Sequence, residues 1–484
     1  MIKKMILATA IFAVAFQDSY AQYANDVLRF SQTTFSGTAR IQGMGGSQTA
    51  LGGDISSISG NPAGLGFYRQ SDFSISPQLS FATTSTDFLS DKFENSKDNF
   101  NISNLGVVFG RALTDNTGGA RSDGWSSIAF GIGLNRTNNF HNTISYSGIN
   151  NKNSLGDFFA EQLNAIGFDS LSYAETGFTG YLVDQYTDGT YFSLINGRKV
   201  QTNTQKLKGS QSDWSFSLGS NYKNKLYVGA SINLTDITSR SAVNYSESGY
   251  IDTLRKTNRF NYTERTTIQG SGFNAKAGVI YRPVDLLRFG ATIQTPTYYQ
   301  MDDAFSSEIV TTFNDNNTAT SSFNSVSEYN LVTPFRYSFG VALFFQKYGF
   351  ITADYEGLDY GNGKYRSDFD ASGESFENDL ISNSFTKTSN LRFGGELKLS
   401  PITIRGGYAI YGDPFTNTTN LDRQVKSITG GLGYASEDFY IDAALINSKF
   451  NSTSTPYSLN NRSEPVAATI NKRNSFMLTI GTKF

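Results

Sequence analysis

From about residue 71 onward, apolar and polar positions alternate with a period of two, the pattern of strands with one apolar face. In the stretch 391–399, Leu391, Phe393, Gly395, Leu397 and Leu399 share one face, and Arg392, Gly394, Glu396 and Lys398 share the other. Stretches 226–234 and 273–282 alternate similarly. At the end of the chain, Phe476, Leu478, Ile480 and Phe484 oppose Arg473, Ser475, Thr479 and Lys483. The pattern predicts strands near 71–83, 100–113, 124–138, 212–222, 225–248, 258–282 and 286–310. Further strands are expected near 322–345, 348–360, 388–399, 402–412, 424–435, 439–450 and 470–484, about fourteen in all, the even number that bacterial single-chain barrels require. A soluble sandwich alternates too, so periodicity alone leaves the class open.

The spacing of the links decides more. Lys223-Asn224, Pro283-Val284-Asp285, Gln346-Lys347, Ser400-Pro401 and Glu437-Asp438 leave room only for tight turns, whereas 139–211, 361–387 and 451–469 are long. A barrel with short periplasmic turns and long outer loops produces this asymmetry, with both ends of the barrel on the periplasmic side. The link 114–123 is longer than its place in the order predicts. Phe484, ending an amphipathic strand, resembles the C-terminal signal of outer-membrane barrels. No 18-residue apolar run follows the N-terminal segment, which argues against membrane helices. No period of the propeller kind is present. The expectation is an all-β fold, a transmembrane antiparallel β-barrel of about fourteen strands.

Composition agrees. Charged residues are 17% of the chain, against about 25% in typical soluble domains. Aromatics reach 14%, with 39 Phe and 27 Tyr, as strands with a lipid face and aromatic girdles require. The absence of Cys excludes disulfides, thiolate metal sites and a lipid-anchoring cysteine. A single histidine, His141, excludes a histidine-rich metal site, and the net charge of −2 argues against non-specific nucleic-acid binding.

The first residues have a different character. Lys3 and Lys4, the apolar run Met5–Phe16, and Ser19-Tyr20-Ala21 make residues 1–21 a signal peptide, so the mature chain starts near Gln22. Residues 22–70 lack the two-fold period. Asn25-Asp26 is expected to cap and start a short helix, and Asn61-Pro62 another, with Asn as cap and Pro in the first turn. Glycines throughout 37–66 allow tight reversals and close backbone packing. The organisation expected is a signal peptide (1–21), an N-terminal plug or hatch of short helices and turns (22–70) and a barrel (71–484).

These residues carry a resemblance. Gly43-Met44-Gly45-Gly46, then Thr49-Ala50-Leu51, then Asn61-Pro62-Ala63-Gly64-Leu65 is similar to the hatch of the FadL/TodX family of outer-membrane transporters of long-chain fatty acids and other hydrophobic compounds. Stretches 272–283 and 295–299 resemble strands of that family, and the likeness extends over essentially the whole mature chain. It implies a plugged barrel in the outer membrane of a Gram-negative bacterium, surrounded by outer-membrane lipid, without a cofactor. The ligand would be a hydrophobic small molecule, a fatty acid or aromatic hydrocarbon, moving by passive diffusion. It would be caught among the outer loops, pass to a site beside the hatch, and leave sideways through a gap where a strand is kinked.

The family places that kink in the third strand. In 127–135, Ile128, Phe130, Ile132 and Leu134 are expected to face lipid, and Ala129, Gly131 and Gly133 the lumen, leaving a lane almost without side chains. The lane is either an exit or room for the hatch. The resemblance alone places Asn61, Pro62 and Ala63 beside it. In the connection after the third strand, Leu155, Phe158, Phe159, Leu163 and Ile166 recur at helical spacing, either a capture surface for the ligand or a face packed on a neighbouring loop.

Other chemistries find weaker support. Hydrolysis by a serine nucleophile would need His141 as base, and no enzyme is expected. Asp368, Asp370, Ser372 and Gly373 echo a calcium loop, but Asp379 replaces its bidentate Glu, so an acidic solvated loop and no metal are expected. Gly43-Met44-Gly45-Gly46 lacks the complete dinucleotide-binding pattern and a preceding strand. A different role, as a partner that holds secretion components and exported proteins at the cell surface, stays open.

Overall fold

The computed structural model describes residues 17–34, 36–114, 121, 123–168, 172–368, 370–416 and 421–484. Among them, fourteen antiparallel strands form a closed barrel. They begin with β1 (Asp72–Phe88), β2 (Asp91–Ala112), β3 (Trp125–Asn139, continued by Asn142–Asn150) and β4 (Lys199–Tyr222). The middle of the wall is β5 (Leu226–Ser248), β6 (Thr257–Val284), β7 (Leu287–Gln294 with Tyr298–Phe313) and β8 (Thr318–Val332 with Arg336–Phe344). It ends with β9 (Gly349–Asp359), β10 (Lys387–Leu399), β11 (Ile402–Tyr411), β12 (Val425–Ala435), β13 (Phe439–Ser454) and β14 (Ala467–Lys483).

Closure is made by β1, which pairs with β2 on one side and β14 on the other. Ser71 and Phe484 exchange two backbone hydrogen bonds of 3.0 and 3.1 Å, so the terminal Phe is fixed where the first strand begins. A closed ladder leaves no strand edge in hydrocarbon, where an unpaired N–H or C=O has no water to turn to. The alternation sorts side chains as expected. Phe393 and Leu397 of β10 are about half exposed while Arg392 and Glu396, each one residue before them, are buried in the lumen. Large apolar side chains cover the outer wall, with Phe109, Trp125, Tyr222, Tyr281, Phe345 and Phe439 near the short-turn rim. That belt is the lipid contact of a transmembrane barrel.

Two turns show how far local sequence carries. Lys223 and Asn224 both adopt left-handed φ, 55° and 56°, whose twist matches that of the flanking strands. Leu89 (φ 48°) and Ser90 (φ 77°) make a second tight turn. Consequently β1 and β2 run past the expected ends at 83 and 100, and residues 84–99 form a hairpin instead of a loop. Leu-Ser lacks the Gly or Asn that announces such a turn.

The plug begins with α1 (Gln17–Ser31) and α2 (Ala39–Gln42), followed by 3₁₀ turns at Ile55–Ile58 and Pro62–Phe67. Asn61 caps the last of these as expected, its side-chain oxygen accepting the Ala63 N–H at 3.1 Å. Asn25-Asp26 lies inside α1 and does not start it. Residues 1–16 of the expected signal peptide, and most of the link 114–123, lie outside the described residues. The long connections carry α3 (Leu155–Ile166), α4 (Glu175–Thr179) and α5 (Ala371–Ser384). Among the described residues no helix is long and apolar enough to cross a membrane.

Candidate functional site

The hatch sits directly on the barrel backbone. Gly106 on β2, Gly131 on β3, Gly219 on β4, Gly229 on β5, Gly278 on β6, Gly290 on β7, Gly340 on β8, Gly394 on β10 and Gly407 on β11 face it toward the short-turn rim. A Cβ on Gly106 would lie 2.5 Å from Ile55 Cγ2, and one on Gly219 2.6 Å from the Pro62 carbonyl oxygen. On Gly229, Gly290 and Gly407 it would meet the backbone of Pro62, Thr49 and Met44-Gly45. Register puts many of these glycines opposite each other, Gly106 with Gly133, Gly229 with Gly219 and Gly278, and Gly290 with Gly340. The glycine-rich segment 37–66 is thus half of a fit whose other half is glycine in the wall.

Charges fix the orientation of this fit. Glu396 on β10 accepts from Arg40 of the hatch at 2.8 Å and from Arg405 on β11 at 2.9 Å, and Arg405 also reaches Asp442 at 2.6 Å. Asp354 on β9 accepts the N–H groups of Gln48 and Thr49 and the Thr49 hydroxyl, all on one carboxylate oxygen at 2.8–2.9 Å. Buried carboxylates so bonded hold their partners in one geometry, since removing either partner leaves an unpaired charge out of water.

One place in the wall departs from this tight fit. The ladder between β2 and β3 runs from Ala112↔Ser127 to Asn104↔Asn135 and stops. Beyond it, among the described residues, 91–101 of β2 pair only with β1, and 142–150 of β3 only with β4. The chain breaks at Phe140-His141 and turns inward. Thr84 on the lumenal face of β1 donates to the Thr143 carbonyl at 2.6 Å, and Arg473 on β14 donates to the carbonyls of Asn139 and His141 at 3.0 and 3.2 Å. What spans the gap between β2 and β3 is side chains, Asn139 to Asn99 at 3.1 Å and Ser145 to Asn95 at 2.8 Å.

Behind this gap lies the hatch segment joining α1 to α2. Thr34 N–H donates to the Thr137 carbonyl at 3.0 Å, Asn138 Nδ2 to the Gln32 carbonyl at 2.9 Å, and Ser36 Oγ meets Ser103 Oγ at 2.9 Å. One short segment therefore bonds to both sides of the opening. On its lumenal side stands an apolar chamber of Tyr299, Met301, Tyr329, Leu331, Leu358 and Tyr365, into which α1 inserts Val27, Leu28 and Phe30. Phe30 meets Phe140 edge to face at 5.9 Å, so the chamber adjoins the break in β3.

The residues expected from sequence fall around this place unevenly. Ile128 and Phe130 point outward, and Ala129, Gly131 and Gly133 inward, as expected. Gly131 and Gly133 lie in the paired part of β3, and the Ile58 side chain occupies the space before them. Asn61, Pro62 and Ala63 are not beside these glycines. They pack on β5 and β6, against Gly229 and Gly278. In α3, Leu155, Phe159 and Leu163 are buried in a loop core with Tyr245, Phe260 and Ile309, Phe158 is partly buried, and Ile166 is exposed. His141 Nδ1 lies 2.9 Å from Asn139 Oδ1, and no serine is among its hydrogen-bond partners in the described residues. Asp370 caps α5, accepting from Gly373 N–H and Ser372 Oγ, so a helix begins inside the calcium-like stretch. No cluster of three or more metal-binding side chains occurs among the described residues.

No family model and no curated protein matches the chain. Solved structures do. A Pseudomonas aeruginosa FadL homologue superposes with a TM-score of 0.56 at 10% identity, over 93% of this chain and 99% of its own. The fold is that of the FadL and TodX barrels. The Pseudomonas putida toluene transporter TodX follows at 0.53 and 13% identity, and the Ralstonia pickettii toluene transporter TbuX at 0.51 and 15%, each over 93% of this chain and 99% of its own. Within this FadL-type barrel, sequence reasoning missed Thr34, Ser36, Ser103 and Thr137. The one local signal was the polar Asn-Phe-His-Asn interruption after an apolar strand.

Proposed function

We propose that this barrel lies in the outer membrane of a Gram-negative bacterium and admits hydrophobic small molecules by passive diffusion, releasing them sideways into the membrane. One observation carries the reading, the end of the β2–β3 ladder at Asn104↔Asn135 with the hatch segment behind it. A lateral route spares an oily solute the charged layer below, where Lys276, Arg336, Glu356 and Arg392 line the lumen. The resemblance to FadL and TodX proteins and the toluene-transporter structures support the same solute class. Entry starts at the outer loops, where Phe158, Ile166 and Phe168 are the apolar groups of α3 and its end left at least partly open. The ligand then replaces α1 contacts in the apolar chamber and leaves past Phe140. Gly131 and Gly133, with Asn61, Pro62 and Ala63, act on passage through the seating of the hatch.

The test uses the absence of native cysteine. Ser36→Cys with Ser103→Cys places two thiols where hydroxyls now stand 2.9 Å apart, within reach of a disulfide. Oxidation should abolish uptake of radiolabelled oleate or toluene, and a reductant should restore it. Undiminished uptake by the fully cross-linked protein would refute the lateral route.

A further inference from the structure

The chamber around α1 is acidic as well as apolar. Asp26 of α1, Asp303 of β7 and Glu377 of α5 are all buried there. Asp26 has partners, Arg29 at 3.3 Å and the Tyr329 hydroxyl at 3.0 Å. Glu377 does not. It is fully buried, neither carboxylate oxygen completes a hydrogen bond among the described residues, and the donor turned toward it is the backbone N–H of Ala24. Burial pushes its carboxyl up to about 7 against the pull of that N–H, and Asp26 adds repulsion.

In a helix running from Gln17, the Ala24 N–H belongs to the carbonyl four residues earlier and needs no carboxylate. A chain cut after Ala21 changes that. Its helix would begin at Gln22, Ala24 N–H would be one of the four unpaired donors of the first turn, and the positive end of the helix would carry a new ammonium. Gln22 precedes Ala24 by two residues, about 3 Å of helical rise. We propose that Glu377 is the receptor for the α-ammonium group of the processed chain at Gln22. Removal of the signal peptide then creates the cation that this buried carboxylate lacks, and the new ion pair fastens α1 where it already packs in the chamber. The assignment rests on Glu377 and the cleavage motif, and is independent of what the barrel conducts.

Protein purified from membranes should begin at Gln22 with a free amine. An unprotected N-terminal glutamine cyclises, its amine attacking its own side-chain amide carbonyl with loss of ammonia, so the two forms differ in mass. An N-terminus-selective aldehyde should label folded wild type about ten-fold more slowly than urea-unfolded protein, the factor that one pKa unit of amine stabilisation gives. Glu377→Gln should label at nearly the unfolded rate and accumulate pyroglutamate, and Glu377→Asp should fall between. Heat-modifiable gel mobility verifies that each barrel is folded, and Glu377→Asp carries the test if Glu377→Gln does not fold. A mature start away from Gln22, fast labelling of folded wild type, or labelling unchanged by both substitutions would overturn the proposal.

Discussion

The hatch meets the wall in two ways. Along β4 to β11 it lies on glycine, backbone against backbone, with Glu396 and Asp354 as fixed anchors. Between β2 and β3 it is joined by a few neutral hydrogen bonds at Thr34, Ser36 and Asn138, where the wall has no ladder. Close packing without side chains has no soft direction, because backbone cannot rotate away. Neutral hydrogen bonds, each worth about 1 kcal/mol net, can exchange for bonds to water. A plug built this way is held by close packing over most of its circumference and by neutral hydrogen bonds alone at one place.

The contrast can be broken most forcibly from the tight side. Gly229→Val sets a side chain into the Pro62-Ala63 backbone and should cost about 3 kcal/mol or more, the upper range for overpacking. Expulsion of the hatch should appear as trypsin cleavage at Arg40 in a barrel that still migrates as folded. Next comes Glu396→Gln. Read from alternation alone, Glu396 is one lumenal charge among others and its loss should cost little. The structure makes it the shared acceptor of Arg40 and Arg405, so urea titration should show a loss of about 3 kcal/mol, as for a broken buried ion pair. Its neighbour Leu397→Arg, facing lipid, should cost about 2–4 kcal/mol for a different reason.

On the yielding side the effects should be smaller and opposite in function. Ser36→Ala with Ser103→Ala removes one mutual hydrogen bond and should cost about 1 kcal/mol while raising the uptake rate. Slower uptake would mean that the bond positions the solute and does not latch the segment. Least of all, Ile166→Ala should change stability by under about 0.5 kcal/mol, as exposed positions do, and raise the concentration for half-maximal uptake. Leu163→Ala at the buried side of the same helix should instead loosen the loop by about 2–5 kcal/mol, measured by proteolysis of the 151–198 connection.

Much of the barrel was legible in the sequence because its causes are local. A lipid face and a polar lumen impose a period of two on every strand, and short turns must leave short links, so strand number and face assignment could both be read along the chain. Asn61 could be read as a cap for the same reason. The β1–β2 hairpin was hidden because Leu89-Ser90 adopts its turn under the demand of two long paired strands, not from its own preference. Only tertiary structure decided what Gly131 and Gly133 are next to. A glycine records that something comes close and not what, and here it is Ile58, contributed by a segment more than seventy residues earlier. The same holds for the gap in the wall. Residues 104–112 and 127–135 show no sign of where their pairing ends, since a ladder stops only when one strand has a better place to go. For β3 that place is the inner face of β1 and β14, strands from the two ends of the barrel that closure alone brings together.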